Sequence, residues 1–166
     1  MCSGQHSSMI LLARMNDWPL ENYWHDDHPA QVAYRAAVAR AFATRPDRLA
    51  TAIDGCGVLT YAFPLREVAR AYAMLAGPDA IPAADPRRSL APALTTIRDA
   101  MLAHPEMIGG NRERIDTSLM KALPGRIVSK GGMEALRGLA ILAGPRVGLG
   151  AATGLGAATG SATGTV

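Results

Sequence analysis

The sequence is poor in lysine, cysteine and aromatic side chains, and it has no run of charge of one sign. Only Lys121 and Lys130 are lysines among seventeen basic residues, so arginine does most of the surface solvation. A lysine beside glycines therefore stands out. Fourteen acidic residues leave a net charge of +3, and no basic run could track a phosphate backbone, which argues against a nucleic-acid partner. Cys2 and Cys56 permit at most one bridge. No basic segment leads into an apolar stretch and a cleavage site, so a cytoplasmic protein with reduced thiols is expected. Residues 147–166 are uncharged, but Gly, Ala and Thr bury too little apolar surface to offset moving the backbone into lipid. No membrane span is expected. What remains, 166 residues with 49% apolar and 19% charged, fits one globular domain.

Local signals predict helices separated by Pro/Gly loops. Ser7 to Met15 is a short apolar stretch that Asp17, Trp18 and Pro19 end. Pro29 suits a first helical position, and Val32, Ala36, Ala39 and Phe42 recur at helical spacing until Arg45-Pro46. Pro64 opens a second helix through Leu65, Val68, Tyr72 and Leu75, with Gly77 placed to stop it. A third runs from Ser89 or Pro92 to His104, before Pro105, and Asp116 is expected to cap a short one ending before Pro124-Gly125. Arg126 to Lys130 is β-branched and short, a strand that Gly131-Gly132 breaks. Residues 137–142 and 146–151 form a hairpin or, alternatively, Met133 to Leu142 is helical. Beyond lies the repeat Leu-Gly-Ala-Ala-Thr-Gly, at 149–154 and again at 155–160, expected to be disordered. The division is thus 1–146 and a low-complexity tail, 147–166.

Three groups of residues could carry chemistry. Cys2 and His6 near the N-terminus, with Asp54 and Cys56 on a glycine-flanked Asp54-Gly55-Cys56-Gly57 loop, offer soft and charged zinc ligands. The structural alternative is two buried cysteines beside tight turns. Lys130-Gly131-Gly132 at a strand end lets a substrate approach the backbone, in outline like the Lys-Thr-Gly element of serine β-lactamases, although an exposed strand-end lysine is the plainer reading. His28-Pro29 and His104-Pro105 read as helix-boundary residues.

In order along the chain, several motifs resemble the asparaginase II family of bacterial enzymes. They are Cys-Ser-Gly-Gln-His at 2–6, Trp-Pro at 18–19, Asp-His-Pro-x-Gln at 27–31, Ile-Asp-Gly-Cys-Gly-Val at 53–58 and Phe-Pro-Leu at 63–65. Ala-Met-Leu-Ala-His-Pro-Glu-Met at 100–107, Asp-Thr-Ser-Leu-Met at 116–120 and Leu-Pro-Gly-Arg-Ile-Val-Ser-Lys-Gly-Gly at 123–132 complete the set. The resemblance covers roughly residues 2 to 140. It implies an amidohydrolase that converts asparagine to aspartate and ammonia. It also implies an α/β (α+β) chain, a fragment of a serine β-lactamase-like α/β/α fold, mostly helical with a short C-terminal strand region. Carried over by resemblance, Lys130 is the lysine that activates a serine and Asp54 an acidic residue of the site. His6 and Gly131 contact substrate, and Cys2 and Cys56 ligate zinc.

The departures set further expectations. Gln5 stands where the family has a lysine ligand, and a glutamine carbonyl is the poorer donor, so zinc binding is expected to be weakened. No serine of this chain, Ser118 of Ser118-Leu119-Met120-Lys121 included, matches the positions of the family's nucleophilic serines, so the chain reads as a C-terminal half that is inactive alone. The alternative is a catalytically dead remnant acting as a binding or dimerisation module, with the helical surface as the face of a homodimer. A cysteine enzyme using Cys2 as an N-terminal nucleophile explains fewer of these motifs.

Overall fold

A computed structural model describes residues 3–132 and 136–143. Helix α1 (Ser3–Met15) begins four residues before the apolar stretch that predicted it. Helix α2 (Pro29–Ala41) starts at the expected proline. His28 is its N-cap: Nδ1 accepts from Ala30 N–H at 3.1 Å, and Nε2 bonds the Pro19 carbonyl at 2.9 Å. Those two bonds require the neutral tautomer with its proton on Nε2. Buried Gln31 donates to the Tyr23 carbonyl and to Met9 Sδ, tying the intervening loop to both helices.

The hairpin of β1 (Ala50–Ile53) and β2 (Leu59–Ala62) went unpredicted. Its strands have only four residues, too few for alternation to register. They pair antiparallel from Ala50 opposite Ala62 to Ile53 opposite Leu59. Phe42 and Phe63 stack with centroids 3.6 Å apart, fastening the hairpin to the end of α2. Helix α3 (Leu65–Ala76) ends at Gly77 as predicted. Two short 3-10 turns, Pro78–Ala80 and Pro86–Leu90, lead into α4 (Ala91–Ala103). Beyond His104 a short unpredicted helix, α5 (Pro105–Gly109), precedes α6 (Ile115–Ala122).

Two expectations fail here. Asp116 does not cap α6; Arg114 occupies the N-cap with no side-chain bond, and the Asp116 side chain turns toward the strands. Nor is Met133 to Leu142 a helix: β4 (Arg137–Ile141) pairs back onto β3 (Ile127–Gly131), Lys130 opposite Gly138. Residues 146–151, the expected partner of 137–142, lie outside the described residues, as does the whole segment 147–166. Local apolar pattern could not choose between partners, whereas burial of Val128 and Ala140 beneath the hairpin does.

Among the described residues the architecture is mixed α/β, helices with two antiparallel hairpins, as the fold class anticipated. The core is thin: Val58, Met120, Val128 and Ala140 are buried, while all four residues of β1 are exposed. Among the described residues no helix is long and apolar enough to cross a membrane.

Candidate functional site

The residues that sequence singled out fall at two places. The first is the turn between β1 and β2. Asp54 Oδ1 accepts from the Cys56 N–H at 2.9 Å, from Cys56 Sγ at 2.9 Å and from the Val58 N–H at 3.3 Å. Gly57 completes the turn at φ +81°, a conformation that favours glycine. The Cys56 thiol, first, and then the two backbone donors hold the Asp54 carboxyl below its usual value against a smaller opposing effect of desolvation; His6 lowers it further. His6, on α1, therefore lies within electrostatic reach of Asp54. Its Nδ1 shares a 2.8 Å hydrogen bond with Tyr23 Oη. Gln5 is exposed on the same helix. Cys2 lies outside the described residues, so the set Cys2, Cys56 and Gln5 is neither assembled nor dispersed by the structure. Among the described residues no group of three or more His, Cys, Asp or Glu is arranged to hold a metal ion.

The second place is the end of β3. Lys130 is exposed and its Nζ donates to the carbonyl of Gly131. Among the described residues no hydrogen bond or ion pair joins it to Asp54 or His6. Nor does any described serine bond Lys130: Ser8 is held by Gln5 and Tyr34, Ser89 by Pro86, and Ser129 is fully buried on the other side of the strand.

Behind Lys130 stands a buried polar cluster that sequence reasoning missed. Asp116 Oδ1 accepts from Ser129 Oγ at 2.5 Å and from Arg137 Nη1, and Oδ2 accepts from the Gly131 N–H at 2.9 Å. Burial alone would raise the Asp116 carboxyl, but Ser129, Gly131 and Arg137 together outweigh it and hold the group below its ordinary range. Tyr72, on α3, lies against the same cluster; burial, then the Asp116 charge, pushes its phenol up. The available signal was a carboxylate in an amphipathic helix at a position that burial would favour for an apolar residue. Nothing local named its partners, 13 to 21 residues away.

No curated protein matches the chain. The L-asparaginase II family model matches residues 1–159, taking in both the Asp54 turn and the Lys130 strand end, and the chain belongs to the L-asparaginase II family.

Proposed function

We propose that this chain is the lysine-bearing portion of an asparagine amidohydrolase and does not turn over substrate alone. The observation that carries this is the exposure of large apolar side chains around the two hairpins: Ile53 is 64% exposed, Leu65 72% and Ile141 73%. Two-stranded sheets are marginal unless something covers a face, and apolar surface on this scale marks an interaction site. Further polypeptide of the same enzyme, carrying the nucleophilic serine, is the natural cover. The same surface also suits self-association, which is the second reading.

In the assembled enzyme, a serine hydroxyl attacks the side-chain amide carbon of asparagine while Lys130 Nζ, as the free amine, accepts the hydroxyl proton. The tetrahedral intermediate collapses, the C–N bond breaks, and ammonia leaves with that proton. Water then hydrolyses the acyl-serine to release aspartate. A lysine serves as a base where it is desolvated or lies near other cations, and a covering surface over exposed Lys130 would supply the desolvation. Gly131 is assigned to substrate contact at the strand end, and His6 and Asp54 are assigned to binding and to the acidic role. Cys2 and Cys56, with Gln5 as a weak third donor, are assigned to zinc, which would polarise or organise the site when bound.

The test is ammonia release from asparagine. None is expected from the purified chain. Activity should return on co-expression with the upstream half of a full-length family member and Gln5→Lys, and should be lost again on Lys130→Ala. Turnover by the isolated chain that survives Lys130→Ala would overturn both the need for a second segment and the role of Lys130. Sedimentation of the isolated chain separates the two readings of the exposed surface: a discrete dimer that persists with the upstream half present would favour self-association.

A further inference from the structure

Lys130 lies between two residues tied to one carboxylate. Ser129 Oγ, fully buried, and the Gly131 N–H donate to the two oxygens of Asp116, at 2.5 and 2.9 Å. Arg137, reaching across from β4, pairs with the same carboxylate and donates to Ser129 Oγ at 3.3 Å.

The ladder explains what this arrangement does. Gly132 N–H donates to the Leu136 carbonyl and Leu142 N–H to the Arg126 carbonyl, so even-numbered residues of β3 direct their backbone groups at β4. The amide of Gly131 therefore points to the strand's open edge. Open edges fray and slip, and a slip of one residue would send Lys130 to the opposite face. Asp116 fills that edge one residue past the lysine, from a helix whose buried Met120 anchors it to the core. The fit is close: a Cβ at Gly131 would meet Asp116 Oδ2 at 3.1 Å and Arg137 Nη2 at 3.4 Å.

We infer that Asp116 is the positioning residue for Lys130. It touches no reacting atom. It clamps the residues on both sides of the lysine, so that the Lys130 Cα and the Gly131 carbonyl that its amine bonds keep a constant relation to α6. The inference rests on the proposed role of Lys130 as base, and its test is chosen to be independent of turnover.

Because Lys121 and Lys130 are the only lysines, brief acetylation of the whole chain with an activated acetate ester, read peptide by peptide by mass spectrometry, gives the ratio of their reactivities. Lys121 is exposed on α6 and serves as internal reference. Asp116→Asn keeps the side-chain shape and an acceptor for Ser129, but sets an amide N–H against the Gly131 N–H. The Lys130/Lys121 ratio should rise by about threefold or more, as the amine and the Gly131 carbonyl lose their common anchor. Arg137→Gln, which keeps both flanking bonds, should lower the melting temperature and leave the ratio unchanged.

An unchanged ratio in a folded Asp116→Asn chain would overturn the inference and leave Asp116 a structural residue. Should that variant fail to fold, Ser129→Ala decides: it removes one flank of the clamp, and a ratio that stays at the wild-type value overturns the inference equally. A raised ratio, combined with a complemented enzyme indifferent to Lys130→Ala, would sustain the clamp and sink the base assignment instead.

Discussion

Replacing Gly138 by alanine probes the packing that holds the Lys130 strand. Gly138 pairs with Lys130 in the ladder, and a Cβ there would fall far inside contact distance of Tyr72 Cζ, Cε2 and Oη. The Gly138 backbone is not in the left-handed region, so alanine brings no conformational penalty and the cost is steric alone. The ring cannot stay. A tyrosine side chain buries ~150–250 Å² when fully packed. Tyr72 is partly buried, so expelling its ring forfeits about half of that area, or ~2–3 kcal/mol. Urea unfolding followed by far-UV circular dichroism should show the midpoint falling by roughly 1–2 M. Tyr72→Ala alone should cost a similar amount, and the double variant little more than Tyr72→Ala, because the second substitution then meets empty space. A loss under ~0.5 kcal/mol for Gly138→Ala, or costs that simply add in the double variant, would refute the packing argument.

Other outcomes follow from the same contacts. The lowered Asp116 carboxyl contributes stability that is present above the usual carboxylate range near ~4 and is lost as pH falls through that range to the folded value. Melting temperature should therefore decline as pH is lowered below about 5, with a shallower decline in Asp116→Asn. Asp85, held down to about 2 by its Arg87 partner, should stay ionised until pH approaches that value, and 0.5 M salt should shift stability only slightly. His28→Ala removes the cap of α2 and its bond to Pro19; a loss of about 1–2 kcal/mol is expected in the same urea assay, and no change would mean the cap contributes nothing. Equilibrium dialysis at neutral pH should show zinc affinity rising on Gln5→Lys and vanishing on Cys56→Ser. Unchanged binding in both would remove Cys2 and Cys56 from a common site.

The ends of α2, α3 and α4 were legible because the signals are local: Pro29 in a first turn, Gly77 after a last one, Pro105 following His104. Strand β3 was legible from Ile127 and Val128, and the family from motifs whose order and spacing need no fold at all. The site was legible only as residue types. Asp54 was visible as a carboxylate before the Gly55-Cys56-Gly57 turn, yet that it closes a hairpin by accepting two backbone amides became apparent only with β1 and β2 in place.

Partner choice was the part that only tertiary structure decided. A β-branched run specifies a strand but not its neighbour, and β4 came to pair with β3 because doing so buries Val128 and Ala140 and lays Gly138 under Tyr72. The fate of Asp116 is the sharpest case. Within its own turn it looks like a cap, worth about 1 kcal/mol. Folding sets the Ser129 hydroxyl, the Gly131 amide and the Arg137 guanidinium around it, and several charge-assisted bonds outcompete a single local one. Sequence thus determined the longer helices, strand β3 and the family, since those depend on neighbours along the chain, whereas the short β1, β2 and α5 left no such signal. The surroundings of Lys130 depend on groups distant along the chain, and only packing could bring them together.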